Sequence, residues 1–320
     1  MTQMKRKILC IDGGGVKGLF AAKILAELES QIEHPIYHYF DMVAGTSTGA
    51  IISAGLALGI PASKICDLYV KHAAQIFPQN GGIFRNLRRV YSSKYSNNVL
   101  AIRLKEIFQD TTIGDCKTRL LIPSYNLSTG NIHVFKTSHS ADLEYDYREK
   151  IVDVLLATTA APTYLPPYQT PTGTYVDGGV GANNPSLIAL VEAISPRCQW
   201  AQEDICLLSL GCMESISSVT TGREKMGIWN VQKLINMFMN AESQYSHNIA
   251  QILLSKGQYL RISPVDRANQ GALDKSTPEV LHYLQAMGIR EAQIHSAQIK
   301  GMFFNCCAEP FHPCHSSLSI

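Results

Sequence analysis

The sequence predicts an α/β fold in which a mostly parallel sheet is covered by helices on both faces. A unit made of a buried strand, a glycine turn and a helix occurs twice, at residues 5–31 and 40–58. Further along the chain, apolar runs of strand length alternate with segments of helical periodicity. The chain has 320 residues, which is enough for one large domain with a sizeable core.

The individual elements follow from apolar spacing and from glycine and proline positions. The first strand covers residues 5–11 and the helix after it residues 18–31, while the second strand, 40–44, leads into a buried helix at 50–58. Further helices are predicted at residues 65–77, 98–108, 151–160, 186–194, 229–254 and 278–299. Further strands are predicted at 118–125, 131–136 and 205–210, the first two as a hairpin.

Composition excludes several classes of protein. Lys and Arg number 28 and Asp and Glu 26, so the net charge is only +2, and no block of like charge is long enough to act as a polyelectrolyte arm. Bulk electrostatics therefore do not predict binding to DNA or RNA. Hydrophobic residues make up 46% and charged residues 17% of the chain. This apolar surplus is compatible with a large core, a lipid-facing patch or the interface of a homo-oligomer.

Cysteine usage and apolar runs predict where the protein resides. Its nine cysteines are odd in number and form no C-x-x-C pair, which favours a reducing compartment. The apolar run at 8–11 is too short for the core of a signal peptide, which needs about 7–15 residues. The uncharged stretches 42–63 and 154–176 are interrupted by glycines and prolines. We therefore expect a cytoplasmic protein that spans no membrane.

The first of three glycine clusters, residues 12–18 (DGGGVKG), lies between a strand and a helix and matches G-x-G-x-x-G. A dinucleotide site would also need an acidic residue about 20 positions later, and none stands convincingly there. Glycines at a helix N-terminus nevertheless offer backbone N–H groups and the positive end of a dipole. The cluster is therefore suited to an anion, including a transient oxyanion.

The other two clusters carry candidate catalytic groups. Residues 45–49 (GTSTG) match the G-x-S-x-G nucleophile elbow, although a polar helix N-cap explains the same pattern. A serine nucleophile needs a base, and Asp177 ends a β-like run immediately before Gly178 and Gly179. The structural alternative for Asp177 is an ordinary Asp-Gly turn.

Taken together, the three clusters resemble the patatin-like phospholipase family. Its glycine-rich oxyanion motif matches residues 12–18, its serine elbow 45–49 and its Asp-Gly-Gly motif 177–179. Similar segments extend the resemblance over roughly residues 5–263, at 92–100, 120–130, 157–168, 176–185, 207–211 and 241–262. The resemblance implies a three-layer sandwich and a lipid acyl hydrolase.

The resemblance also implies roles for individual residues. Ser47 would be the nucleophile, Asp177 its base, and the N–H groups of Gly13, Gly14 and Gly15 would bind the oxyanion. Supporting motif positions are Asp12, Lys17, Gly18, Gly45, Gly49, Gly178 and Gly179. The family usually has arginine where this chain has Lys17, and lysine keeps the positive charge but lacks the planar fork of arginine. Neither a metal nor a cofactor is expected.

A rival hydrolase scheme stays open. A Ser-Asp-His triad in α/β-hydrolase order needs one histidine after Asp177. The candidates are His247, His282, His295, His312 and His315.

The resemblance implies a membrane phospholipid as substrate, with transient association with the membrane surface. Short members of the family include bacterial antiphage phospholipases that cyclic nucleotides switch on, which suggests a cyclic-nucleotide activator. Housekeeping lipid esterases without nucleotide control share the same motifs, so that alternative stays open.

The chain is expected to divide into a catalytic core at 5–212, a helical part packed on the same domain at 213–300, and a flexible tail at 301–320. Residues 84–95 (FRNLRRVYSSKY) alternate cations with aromatics, as in a surface helix or a membrane-docking lid. The tail contains Cys306, Cys307, His312, Cys314 and His315. Their spacing matches no common zinc pattern, which favours a flexible tail over a zinc site.

Overall fold

The computed structural model describes residues 5–78, 95–215, 231–266 and 273–316. Its strands are β1 (Arg6–Ile11), β2 (Met42–Gly45), β3 (Arg119–Asn126), β4 (Asn131–Lys136), β5 (Tyr168–Thr170), β6 (Gly173–Asp177), β7 (Ile205–Leu210), β8 (Glu214–Ser215), β9 (Tyr259–Ile262) and β10 (Val265–Asp266). Its helices are α1 (Gly18–Glu29), α2 (Thr48–Ala57), α3 (Ala62–Ile76), α4 (Asn97–Phe108), α5 (Ile151–Thr158), α6 (Gly179–Ala182), α7 (Ser186–Ile194), α8 (Val231–Leu253) and α9 (Pro278–Phe303). All of the predicted docking segment except Tyr95 lies outside the described residues.

Eight of the strands form one mixed sheet. Strands β3, β2, β1, β7 and β9 are neighbours in that order and run parallel. Strands β4 and β6 pair with β3 in the antiparallel direction, and β5 pairs with β6 in the same way. Strands β8 and β10 form a separate parallel pair.

The two faces of the sheet bury separate apolar clusters. Along β1, Leu9 and Ile11 join the larger cluster with α1–α5 and α9, whereas Ile8 and Cys10 join the smaller one with α7. This alternation is the period-two pattern of a strand that is buried on both faces. Helices therefore cover both faces, which confirms the predicted α/β sandwich.

The predicted helices and strands are confirmed, with ends that differ by a few residues. The strands β5, β8, β9 and β10 and the four-residue helix α6 are not among the elements that local spacing predicts, because their burial and pairing depend on distant segments. None of the described helices is long and apolar enough to cross a membrane.

The C-terminal helix is longer than predicted. It continues to Phe303, whose buried ring stacks on Phe40 with 5.8 Å between centroids, so the predicted start of the tail at residue 301 falls inside α9. Beyond it, the N–H of Ala308 donates to the carbonyl of His38 and that of Cys314 to the carbonyl of Ser138. The division of the chain into three parts otherwise stays a prediction.

The Cys and His residues of the tail, for which the sequence favours a flexible tail over a zinc site, lie within the described part. Over the described ranges, no group of three or more His, Cys, Asp or Glu side chains is arranged to hold a metal ion.

Candidate active site

Two strands end at the same point of the sheet from opposite directions. β2 runs parallel to the first half of β3, pairing Ala44 with Leu121, whereas β6 runs antiparallel to its second half, pairing Asp177 with Ser124. The carboxyl ends of β2 and β6 therefore meet beside the centre of β3. This convergence brings Ser47 and Asp177 together across 130 residues of sequence.

Ser47 lies at a strained turn between β2 and α2. Its φ of 53° and ψ of −120° fall outside the regions that non-glycine residues normally adopt. The N–H of Ser47 donates to Oγ1 of Thr158 at 3.1 Å, which helps to hold this conformation. A Cβ atom at Gly49 would overlap the carbonyl oxygen of Ile11, so only glycine lets α2 approach β1 this closely. The local geometry is that of a nucleophile elbow.

Asp177 is the direct partner of the serine. The Ser47 hydroxyl donates to Oδ2 of Asp177 at 2.6 Å, and the N–H of Gly179 donates to Oδ1 at 2.7 Å. Asp177 is only 2% exposed, and this burial raises the pKa of its carboxyl to about 6 against the effect of both hydrogen bonds. A buried carboxylate with this pKa can accept a proton near neutral pH.

The glycine turn at 12–18 supplies fewer free donors than the sequence predicts. The N–H of Gly13 donates to the carbonyl of Asn183 at 2.9 Å, so it already has an acceptor, and its oxyanion role stays a prediction. Gly14 and Gly15 line the same cavity as Ser47 and Asp177. In the part of the chain that the structure describes, the N–H groups of Gly14 and Gly15 have no hydrogen-bond acceptor. Two donors therefore remain for an oxyanion.

The cavity beside the serine is mostly apolar. Its empty space, counted together with the part that is open to solvent, is about 730 Å³. Apolar side chains from four helices and three loops line it, namely Ile51, Leu68, Ala73, Ile76, Phe77, Leu100, Leu165, Met239 and Leu273. Such a wall is suited to a hydrocarbon chain held next to the Ser47 hydroxyl.

Comparison with known proteins assigns the family. The family model described as patatin-like phospholipase matches residues 9–190, more than half of the chain. The chain belongs to the patatin-like phospholipase family. This membership makes it a lipid acyl hydrolase, an enzyme that cleaves fatty-acyl esters.

Relatives of this patatin-like chain match it along most of their lengths. A protein named cGAMP-activated phospholipase from Pseudomonas aeruginosa is 35% identical over 294 residues, which cover 89% of this chain and 87% of the relative. A protein of the same name from Vibrio cholerae is 32% identical, and the match covers 95% of this chain and 96% of the relative. Patatin-like protein 1 from Arabidopsis thaliana is 30% identical, and the match covers 88% of this chain and 80% of the relative.

The five candidate histidines of a triad all lie in the described part of the patatin-like chain. His247 contacts the Tyr259 hydroxyl through Nδ1 at 2.9 Å, His295 lies 3.5 Å from Glu291, and His315 contacts the carbonyl of Ala141. Within the described residues, neither Ser47 nor Asp177 hydrogen-bonds to any of the five. The structure thus brings the serine to the aspartate without a histidine between them.

Asp12 and Lys17 anchor the glycine turn of this patatin-like fold. Both oxygens of Asp12 accept from the guanidinium of Arg261, at 2.7 Å and 3.2 Å. The ammonium of Lys17 donates to the carbonyl of Met213 at 3.0 Å, and burial lowers the pKa of this lysine. These contacts hold the ends of the turn that carries Gly14 and Gly15.

The remaining motif glycines lie where the chain packs closely. Gly45 ends β2 and Gly18 begins α1 against Thr48, while Gly178 and Gly179 follow Asp177, with Gly178 against the carbonyl of Pro123.

Sequence reasoning missed three supporting residues, Thr158, Asn183 and Arg261. Each acts on a residue more than 100 positions away, so no local pattern marks it. The segments 157–168, 176–185 and 241–262, which resemble the family, do contain them.

Proposed function

We propose that this enzyme is a phospholipase of the A type that cleaves membrane phospholipids through a Ser47-Asp177 dyad. The observation that carries the proposal is the 2.6 Å hydrogen bond from the Ser47 hydroxyl to the buried carboxylate of Asp177. A hydroxyl that donates directly to a carboxylate can be activated without a histidine.

In the first step, Oγ of Ser47 attacks the acyl carbonyl carbon while Asp177 accepts the hydroxyl proton. The tetrahedral intermediate then collapses, the ester bond to glycerol breaks, and Asp177 returns the proton to the leaving alkoxide. The products of this step are an acyl-serine and a lysophospholipid.

In the second step, water attacks the acyl-serine and gives one proton to Asp177. Collapse of that intermediate breaks the bond to Oγ, and Asp177 returns the proton to Ser47. The fatty acid leaves and the resting dyad is restored. Asp177 thus acts as base and acid in turn, which suits a carboxyl with a pKa of about 6.

The N–H groups of Gly14 and Gly15 are the proposed donors to the oxyanion in both steps. Each donor of this kind contributes a few kcal/mol of transition-state stabilisation in comparable serine hydrolases. The N-terminus of α2, which begins at Thr48, adds the positive end of its dipole.

The pH dependence of hydrolysis follows from the pKa of Asp177. Since the base must be ionised, kcat/KM is expected to rise with pH up to about 6 and to level off above it. Below that value it should fall about tenfold per pH unit. The measurement is hydrolysis of a soluble ester from about pH 4 to about pH 8, with melting curves at each pH. His247→Ala should keep the same midpoint, and a midpoint that moves with this variant would contradict the dyad.

We further propose that a cyclic nucleotide activates the enzyme, as the names of the bacterial relatives state for those proteins. Fatty-acid release from phospholipid vesicles should rise roughly tenfold or more with cGAMP and less with other cyclic di- and trinucleotides. Ser47→Ala with cGAMP is the control and should release nothing. Equal activity across the whole panel would instead favour a housekeeping lipid esterase.

The proposed site of action is the cytoplasmic surface of a membrane, reached by peripheral association. Its substrates lie in bilayers, and all nine cysteines are free thiols, as is usual in a reducing compartment.

A further inference from the structure

Helix α8 has an ordinary inner face. Met239, Ser243, Ser246 and Ala250 are buried at the spacing of one helix side, and α8 packs against α6, α7 and β9. A surface helix with this inner face normally presents charged or polar side chains on the opposite side.

The outer face of α8 instead presents large apolar side chains. Phe238 is 63% exposed, Tyr245 64% and Ile252 82%. These three residues follow one another at intervals of seven and so form a stripe along the helix, here named the α8 stripe. At about 1.5 Å per residue the stripe is about 21 Å long.

Between residues 237 and 253, none of the exposed side chains of α8 is charged. The exposed side chains between residues 237 and 253 are Met237, Phe238, Ala241, Gln244, Tyr245, Asn248, Gln251, Ile252 and Leu253. The carboxylate and the imidazole of this stretch contact other partners. Glu242 accepts from the N–H of Asn184 and the hydroxyl of Ser246, and His247 contacts Tyr259.

This composition fits a protein partner better than a lipid surface. Helices that lie in a membrane interface usually carry Lys or Arg beside their apolar face, whereas the exposed residues 237–253 include neither. The cores of protein interfaces are depleted in charge and enriched in Tyr, Phe and Met. The side-chain amides of Gln244, Asn248 and Gln251 both donate and accept hydrogen bonds, so this surface is complementary to itself.

We propose that a second copy of this chain packs its α8 stripe antiparallel against the first, about a two-fold axis at Tyr245. Phe238 and Ile252 lie seven residues on either side of Tyr245. An antiparallel pair therefore places Phe238 opposite Ile252 of the second copy, and the reverse contact follows by symmetry. Tyr245 then lies opposite Tyr245 of the second copy. A charge introduced at position 245 would therefore face the same charge across the axis.

The test uses opposite charges at the axis. In sedimentation velocity, the full-length protein should be a dimer, whereas Tyr245→Glu and Tyr245→Lys should each be monomers. Like charges facing each other should weaken association about a hundredfold or more. An equimolar mixture of the two variants should restore the dimer, since unlike charges then meet. Ile102→Glu on α4, where the side chain is 56% exposed, is the matched control and should stay dimeric.

Each variant should keep the wild-type melting curve and its hydrolysis of a soluble ester, which shows that the fold is intact. A monomeric wild type, a dimeric Tyr245→Glu variant, or a mixture that stays monomeric would each overturn the proposal. Lipid would be identified as the occupant instead if the wild type is a monomer and floats with phosphatidylcholine vesicles while the Tyr245 variants do not.

Discussion

Replacing Ser47 by alanine is expected to abolish hydrolysis of phospholipids and of soluble esters, with kcat lowered on the order of 10⁴-fold or more. The reason is that, in the proposed mechanism, Oγ of Ser47 forms the acyl intermediate, and the only hydrogen-bond partner of this atom within the described residues is Asp177. Asp177→Asn should have a comparable effect, because a neutral amide cannot accept the hydroxyl proton. The measurement is single-turnover release of fatty acid by the purified variants.

Matched controls separate the dyad from general damage to this region. Ser53→Ala removes another buried hydroxyl of α2, which donates to the carbonyl of Ala44, and should leave kcat within a few-fold of wild type. A fluorophosphonate probe should label the wild type at Ser47, label Asp177→Asn slowly and leave Ser47→Ala unlabelled. Full activity of Asp177→Asn, or loss of activity in His247→Ala with a normal melting curve, would contradict the dyad.

Arg261→Met is expected to lower the free energy of unfolding by about 3–5 kcal/mol. Both partners of the Asp12–Arg261 pair are buried, with side-chain exposures of 4% and 8%. Removing the guanidinium leaves the carboxylate of Asp12 buried without its bidentate partner. Urea unfolding measures the loss, and ester hydrolysis should fall as well because Asp12 begins the turn that carries Gly14 and Gly15.

Two further variants test whether the loss of stability comes from the unpaired buried charge. The double variant Asp12→Asn, Arg261→Met should recover part of the stability, since no charge is then left buried. Lys71→Met breaks an exposed i,i+4 pair with Asp67 on α3 and should cost about 0.5 kcal/mol or less. If Arg261→Met and Lys71→Met lower the free energy of unfolding equally, the buried pair does not anchor the turn.

Much of the fold could be predicted from local patterns. The first strand, turn and helix follow from an apolar run, a glycine cluster and helical spacing within residues 5–29, all of which report local backbone preference. The antiparallel pairing of β6 with β3 could not be predicted in this way. The run that ends at Asp177 reads as a strand, but its partner lies about 50 residues away, and choosing that partner depends on the whole sheet.

The sequence by itself determined the family, the elbow at Ser47 and the three glycine clusters, because each depends on residues that are adjacent in the chain. Tertiary structure alone decided that the carboxyl ends of β2 and β6 converge, which brings Asp177 to Ser47. It also decided that the N–H of Gly13 donates to Asn183, that the N–H groups of Gly14 and Gly15 have no acceptor among the described residues, and that Arg261 pairs with Asp12. These contacts depend on strand order and on packing between distant segments, which local spacing does not encode.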